Sequence, residues 1–242
     1  MAHERRHRGT HPEDASFFSD QQIPKLREAL SEYCWLLSRH YATASSLKLV
    51  GDKFQLSERQ RMLLMRSACS DSQRTNRQTN QVDNHDLQGQ QVFIDGFNLL
   101  ITIESALSDA YVFVGQDGCY RDLASVHGTY KRVQETLEAV NLTGRVLSDL
   151  KVEQATWLLD KPVSNSGRLK QILDEQAVRN SWNWHTELHP NPDDELSRVD
   201  GIVISTDSVI LDSAKRWFHL NACVIHQMTE FSRLVDLRSL TA

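Results

Sequence analysis

Three apolar runs in this chain each end on an aspartate: Gln91-Val92-Phe93-Ile94-Asp95, Thr156-Trp157-Leu158-Leu159-Asp160 and Gly201-Ile202-Val203-Ile204-Ser205-Thr206-Asp207. A carboxylate in that place can ligate a metal, move a proton or cap a helix. Two carboxylates about 5 Å apart repel by roughly 3 kcal/mol at an effective dielectric near 20. A cluster of them therefore holds protons or holds a cation, and hard oxygen donors suit Mg²⁺ or Mn²⁺. Asp193 and Asp194, shortly before the third run, and Glu104, in the segment after Asp95, are further acids that could join the set. Such a set equips a protein for metal-dependent phosphodiester hydrolysis, in which one or two ions serve the attacking and leaving oxygens. The bland alternative is that strand-end aspartates only cap the helices that follow.

The runs also say what carries the acids. Continuous apolar stretches of this length suit strands covered on both faces. Helices are expected at about 98–108, in segments between 128 and 150, from 166, near 193–198, at 208–217 and near 229–237, with further strands at 111–114, 182–188 and 221–226. This alternation implies an α/β domain of three layers with a mostly parallel central sheet. Ligands of such sheets gather beyond the carboxyl ends of the strands, so Asp95, Asp160 and Asp207 are expected to meet there.

Upstream the pattern changes. Residues 1–19 lack periodicity and are expected to form a disordered tail. Leu26, Leu30, Tyr33, Cys34 and Leu37 recur at helical spacing, a second helix is expected over 45–50 ending at Gly51, and a third over 56–69. Ser57-Glu58-Arg59-Gln60 fits the Ser-x-x-Gln capping box at that third start. Residues 20–70 thus read as a small all-helical module, 71–90 as a polar linker, and 91–242 as the α/β domain.

With 242 residues, 40% hydrophobic and 24% charged, the composition is that of a globular protein of one large or two smaller domains. The apolar runs fall far short of the roughly 20 residues of a membrane span, and the basic N-terminus lacks a secretory apolar segment, so no membrane association and a cytoplasmic location are expected. Cys34, Cys69, Cys119 and Cys223 show no Cys-x-x-Cys spacing, which argues against zinc ribbons and disulfide scaffolds. The net charge of −5 divides into +2 over residues 1–90 (13 Lys/Arg, 11 Asp/Glu) and −7 over the rest (14 against 21). The acidic half suits a cation site without itself attracting nucleic acid.

Other α/β chemistries lack their motifs. Asp95-Gly96-Phe97-Asn98-Leu99 is not Gly-x-Gly-x-x-Gly, and neither a Walker A loop nor a Gly-x-Ser-x-Gly elbow occurs. An aspartyl-phosphate phosphatase would carry an acid where Phe97 stands.

Ile94-Asp95-Gly96-Phe97-Asn98 at the end of a first strand resembles the opening motif of PIN-like nucleases, including their NYN branch, and Val203-Ile204-Ser205-Thr206-Asp207-Ser208 resembles that group's later strand. The branch often carries a further acid two positions on, where this chain has Val209; the second metal position is the one this departure touches. The segment from Ser46 to Phe54, with Arg59-Gln60-Arg61, resembles the helical family of unknown function numbered 434. Residues from about 91 resemble its companion, the PIN-like family numbered 5616, through Asp117-Gly118-Cys119-Tyr120-Arg121-Asp122, His127-Gly128-Thr129-Tyr130 and the segment from Asp160 to Arg168.

Two of those strings have chemistry of their own. Ser164-Asn165-Ser166-Gly167 before a helix, with Arg168 and Lys170, could hold a substrate phosphate on hydroxyls and helix amides, or be an ordinary cap and loop. In the loop from Asp117 to Lys131, Arg121 and Lys131 could hold a nucleic-acid backbone and His127 could shuttle a proton; equally, Arg121 and Asp122 could be a structural pair. A local +4 over residues 48–77, from Lys48 to Arg77, could guide a strand of RNA, or be a solvated face of ion pairs. His185 and His189 read as structural surface histidines, and Trp182 and Trp184 as packing residues.

The favoured reading is an Mg²⁺- or Mn²⁺-dependent ribonuclease, RNA being implied by the resemblance. Asp95, Asp160, Asp207 and Asp193 or Asp194 would form the site, Glu104 would contribute, and Asn98 would contact substrate. The rivals are a non-catalytic nucleic-acid-binding or protein-interaction module and a metal-dependent phosphatase of a small nucleotide. A homodimer is compatible with either.

Overall fold

The computed structural model describes residues 7–9, 11–124, 130, 133–229 and 231–238. The helical part begins earlier than its periodicity suggests. A short α1 (Asp14–Phe17) precedes α2 (Ile23–Leu37), α3 (Thr43–Lys53) and α4 (Glu58–Ser67). Contrary to the expected tail, Asp14 is buried against the Arg59 guanidinium, and Phe18 packs with Leu26, Leu30 and Tyr33. Helix α4 starts at the anticipated capping box, Ser57 accepting from the Gln60 amide while Gln60 accepts from the Ser57 amide. Helix α3 runs through Gly51 to Lys53 rather than stopping there.

The stretch 71–90 is not a linker. Ser70 and Gln73 form a second capping box that opens α5 (Asp71–Asn80), and a 3-10 turn at Asn84–Leu87 follows. An all-polar helix holds its place through tertiary contacts rather than an apolar stripe. Here Arg77, 1% exposed, pairs with Asp117 and Asp212, and Trp217 Nε1 donates to the Arg77 carbonyl at 2.7 Å.

From β1 (Gln91–Asp95) the chain alternates through α6 (Gly96–Leu107), β2 (Val112–Val114), β3 (Tyr120–Arg121), α7 (Thr136–Asp149), β4 (Gln154–Asp160), α8 (Ser166–Asn180), β5 (Trp184–His189), α9 (Pro192–Leu196), β6 (Ile202–Ile204), α10 (Ser208–Ser213), α11 (Leu220–His226) and β7 (Leu234–Asp236). Among the described residues β5-β4-β1-β6 form an all-parallel sheet. Val92, Ile94, Trp157, Leu159, Ile202 and Ile204 face a core shared with α6, α7, α8 and α11; Phe93, Leu158 and Val203 face the one beneath α9 and α10. Burial on both faces accounts for the unbroken apolar runs.

A small mixed sheet, β3-β2-β7, lies apart, and three expectations fail around it. The strand near 111–114 belongs to this sheet rather than to the central one. Residues 221–226 form helix α11, because Leu220 and Val224, four apart, turn together onto the main core. The expected helix near 229–237 is instead strand β7, which pairs in parallel with β2 and carries Leu237 into the core of the helical module.

Each cation of the basic stretch 48–77 meets a carboxylate. Lys48 and Arg61 meet Asp52, Lys53 meets Glu32, Arg59 meets Asp14, Arg66 meets Asp122, Arg74 meets Asp71, and Arg77 meets Asp117 and Asp212. Trp182 stacks on Trp184 and lies over Gly144, where a Cβ would collide with its ring. The four cysteines are free thiols, and no described helix is long and apolar enough to cross a membrane.

Arg77 should be the most sensitive position in α5. Arg77→Met takes one of two guanidinium partners from the buried Asp117 carboxylate and is expected to cost about 3–5 kcal/mol in urea unfolding. Arg74→Ala, on the exposed side, should stay within about 0.5 kcal/mol of wild type; equal losses at both positions would show that α5 is peripheral.

Candidate functional site

Strand alternation decides which side chains meet. Asp95 lies opposite Leu158, and Asp160 leaves the same face of β4 two residues, about 7 Å, farther along. Ser205 continues that face just beyond β6, and α9 lies over β1, β4 and α10. Asp95, Asp160, Asp193 and Asp207 therefore occupy one edge of one face.

Asp95 is buried. Its Oδ1 caps α6 by accepting from the Asn98 amide at 3.3 Å, and its Oδ2 accepts from the Ser205 hydroxyl at 2.8 Å. The Ser205 oxygen in turn accepts from the Asp207 amide at 3.0 Å, so one hydroxyl spaces the two acids. Asp207 Oδ1 caps α10 through the amides of Val209 (2.8 Å) and Ile210 (3.4 Å). Asn98 Oδ1 accepts from both the amide (2.9 Å) and the hydroxyl (2.8 Å) of Thr206. An amide N–H can only donate, which fixes the Asn98 orientation and turns its Nδ2 donors away from Thr206. Capping is thus real at Asp95 and Asp207, yet each carboxylate keeps lone pairs beyond it.

Burial raises the Asp95 carboxyl to about 7, aided by the charges of Asp193 and Asp207 and opposed by the bonds from Ser205 and Asn98. Asp193 is raised by desolvation and by the charges of Asp207 and Asp160, and Asp160 is raised by desolvation. Asp193 is the common neighbour. None of the four has a Lys, Arg or His nitrogen within 4 Å among the described residues, whereas Asp14, Asp117, Asp122, Asp194 and Asp212 all do. The donor set fits a hard divalent cation in chemistry and in uncompensated charge. It is not closed: among the described residues no three of these acids bring ligand oxygens within 4.8 Å of one another, and the trio that does is the surface group Asp83, His85 and Asp86.

Other expected site residues lie elsewhere. Glu104 sits eight residues up α6 from its first residue, about 12 Å along the axis, and is fully buried among Arg8 (2.8 Å), Thr136 (2.6 Å) and Tyr130. It belongs to an internal network, not to the acid edge. Asp194 turns outward to Arg198 at 2.6 Å, leaving Asp193 as the acid supplied by α9. Arg121 is committed to Asp117 through two bonds of 2.7 Å and to the Thr206 carbonyl at 3.0 Å. It pairs with Asp117 rather than Asp122, and because it is buried with all three of its nitrogens engaged, it positions the site instead of reaching for a phosphate. Asn165 adopts a left-handed conformation (φ 71°) and donates to the Tyr130 carbonyl at 2.8 Å; the Ser164 carbonyl accepts from the Tyr130 amide. Ser166 is buried, Arg168 is exposed, and Lys170 is tied to the Thr186 carbonyl and Asp174. His127 and Lys131 lie outside the described residues.

Two further residues support the edge: His189, expected to be only a surface histidine, and Arg77, expected at most to guide a strand of RNA. His189 lies opposite Asp160 on β5, and its Nδ1 accepts from the Asn191 amide at 3.2 Å, so the neutral ring carries its proton on Nε2. Arg77 Nη2 donates to the Ser208 carbonyl at 3.3 Å. Arg121 and Arg77 thus hold the carbonyls on either side of Asp207. The signal for α5 was present in Ser70-x-x-Gln73.

The model of the domain of unknown function DUF5616 matches residues 84–223, and that of the protein of unknown function DUF434 matches 25–79. The chain is 28% identical over 190 residues to the uncharacterised protein MJ0935 of Methanocaldococcus jannaschii, covering 78% of this chain and 89% of that protein. No solved structure matches the chain.

Because the folded Asp95 carboxyl titrates near 7 instead of 3.8, the native state holds a proton there that the unfolded state has lost. Its contribution to stability must fall as pH rises from about 4 to 7, by about 4 kcal/mol for the full difference. Asp95→Asn, which cannot ionise, should gain on wild type over that interval in metal-free urea titrations at pH 5 and 8; a constant gap between the two proteins would contradict the assignment.

Proposed function

The chain belongs to the DUF5616 family, and from the geometry of its acid edge we propose that it is a metal-dependent phosphodiesterase acting on RNA. The single observation that carries this reading is four carboxylates on one sheet edge, with no cation of the protein within 4 Å of any of them among the described residues. Mg²⁺ or Mn²⁺ held by Asp95, Asp160, Asp193 and Asp207 would supply the positive charge that activates water and stabilises the leaving oxygen. The resemblance of Ile94–Asn98 and Val203–Ser208 to PIN-like nucleases supports the same assignment and supplies the preference for RNA.

The protein's own groups have separable parts to play. Ser205 holds Asp95 and the Asp207 backbone in register, and Asn98 pins Thr206 while offering its Nδ2 donors outward. His189, with Nε2–H free of protein partners among the described residues, is placed beside Asp160 to donate to a substrate oxygen. A non-catalytic binding role is the second reading, favoured by the acids' failure to close to ligating distance without a cation.

Purified full-length protein is expected to cleave single-stranded or structured RNA with Mn²⁺. Asp95→Asn and Asp193→Asn should each lower the rate more than about a hundredfold, at least the scale on which disturbed metal surroundings act. Asp194→Asn, whose carboxylate faces Arg198, should retain cleavage. Mn²⁺ binding by calorimetry without cleavage would favour the non-catalytic reading; equal activity in Asp95→Asn would assign the cleavage to a contaminant.

A further inference from the structure

Beside Asp207, an open cleft of about 570 Å³ lies between the helical module and the α/β domain. Clefts between about 300 and 1,000 Å³ accommodate small organic ligands. Each wall brings an exposed apolar side chain: Met65, near the end of α4, is 51% exposed and Val209, at the start of α10, is 66% exposed. Ile101 also lines the cleft. The polar lining includes the Asp122 and Asp207 carboxylates, and beside them two side chains bring unused donors. Asn98 presents the Nδ2 that Thr206 cannot use, and Arg66 spends only Nη1, on the Asp122 carbonyl at 2.8 Å, leaving Nε and Nη2 without a hydrogen bond among the described residues.

Exposed apolar side chains on a cleft wall gain when a flat ligand removes them from water. Methionine suits that work because its unbranched thioether adapts to the ligand's shape. A nucleobase has the apolar faces for Met65 and Val209 and the edge acceptors for Asn98 and Arg66. Asp207 links the cleft to the acid edge, so a phosphodiester held at the acids would direct its neighbouring nucleoside into this space.

We propose that the cleft is a nucleobase subsite, in which Met65 from the helical module and Val209 from α10 cover the base of the nucleotide adjoining the scissile phosphate. The proposal rests on the reading of the acid edge as a phosphodiester site and deepens it. It also gives Val209, which stands where the NYN branch places another acid, a role that needs an apolar side chain.

Mononucleotides have no phosphodiester to cleave, so binding can be measured with Mn²⁺ present. Calorimetric titration of the full chain with 5′-mononucleotides and with ribose 5-phosphate should show the nucleotides binding at least about tenfold tighter, and Met65→Ser and Val209→Ser, both at exposed positions, should each shrink that ratio to about threefold or less. Equal affinity for the nucleotides and ribose 5-phosphate in a protein that binds Mn²⁺, or a ratio untouched by either substitution, overturns the subsite alone. A protein that binds no Mn²⁺ in the same experiment overturns the reading of the acid edge beneath it.

Discussion

The structure turns on a buried carboxylate shared by two guanidinium groups. Asp117 accepts from Arg77 at 2.6 Å and from Arg121 at 2.7 Å twice, and Arg77 also meets Asp212 at 2.6 Å. Two cations and two anions leave no net charge, which is the condition under which buried ions are tolerable. The two arginines hold the Asp117 carboxyl well below the usual carboxylate range despite its burial. What the network accomplishes is positional. Its guanidinium donors end on the Thr206 and Ser208 carbonyls, and the backbone between them carries Asp207.

At the acid edge the balance runs the other way. Asp95 and Asp207 each sit at a helix start, where amide dipoles favour a negative charge by about 0.3–1 kcal/mol. For Asp95 that gain and the Ser205 hydrogen bond are outweighed, since its carboxyl rises from 3.8 to about 7, a difference worth about 4 kcal/mol. Desolvation wins. The same protein thus contains one acid cluster compensated by arginine, and one that is not. The first is a fastening; the second is a demand for a proton or a cation.

Much of this was legible in the residue order, and the failures share a cause. The apolar runs ending at Asp95, Asp160 and Asp207 gave away the parallel sheet because burial on both faces leaves a one-dimensional trace. The Ser57–Gln60 box marked a helix start because capping is local. Arg77, Asp117 and Asp212 left no such trace, since they meet across 40 and 135 positions of chain. Segment 71–90 looked like a linker because its helix is fastened by polar contacts, and pattern reading weighs only apolar ones. Glu104 looked like a ligand because sequence places it in the right helix but says nothing of the 12 Å between its turn and the edge. Residues 221–226 read as a strand because a short apolar run carries no clear period.

The two family matches divide near residue 80, but the physics does not divide there. Phe113 and Leu123, from the α/β part, and Leu237, from the C-terminus, are buried in the same cluster as Leu26, Leu30 and Leu64. The Trp217 amide donates to the Asn80 carbonyl and Trp217 in turn accepts from the Val82 amide, so the segment after α5 runs beside the sheet as added backbone pairing. Removing the helical module would expose that shared core and take away Arg77, leaving Asp117 and Asp212 with one guanidinium fewer. It would also remove Met65 and Arg66 from the cleft beside Asp207. The acid edge belongs to one match by sequence, yet its geometry is set by both.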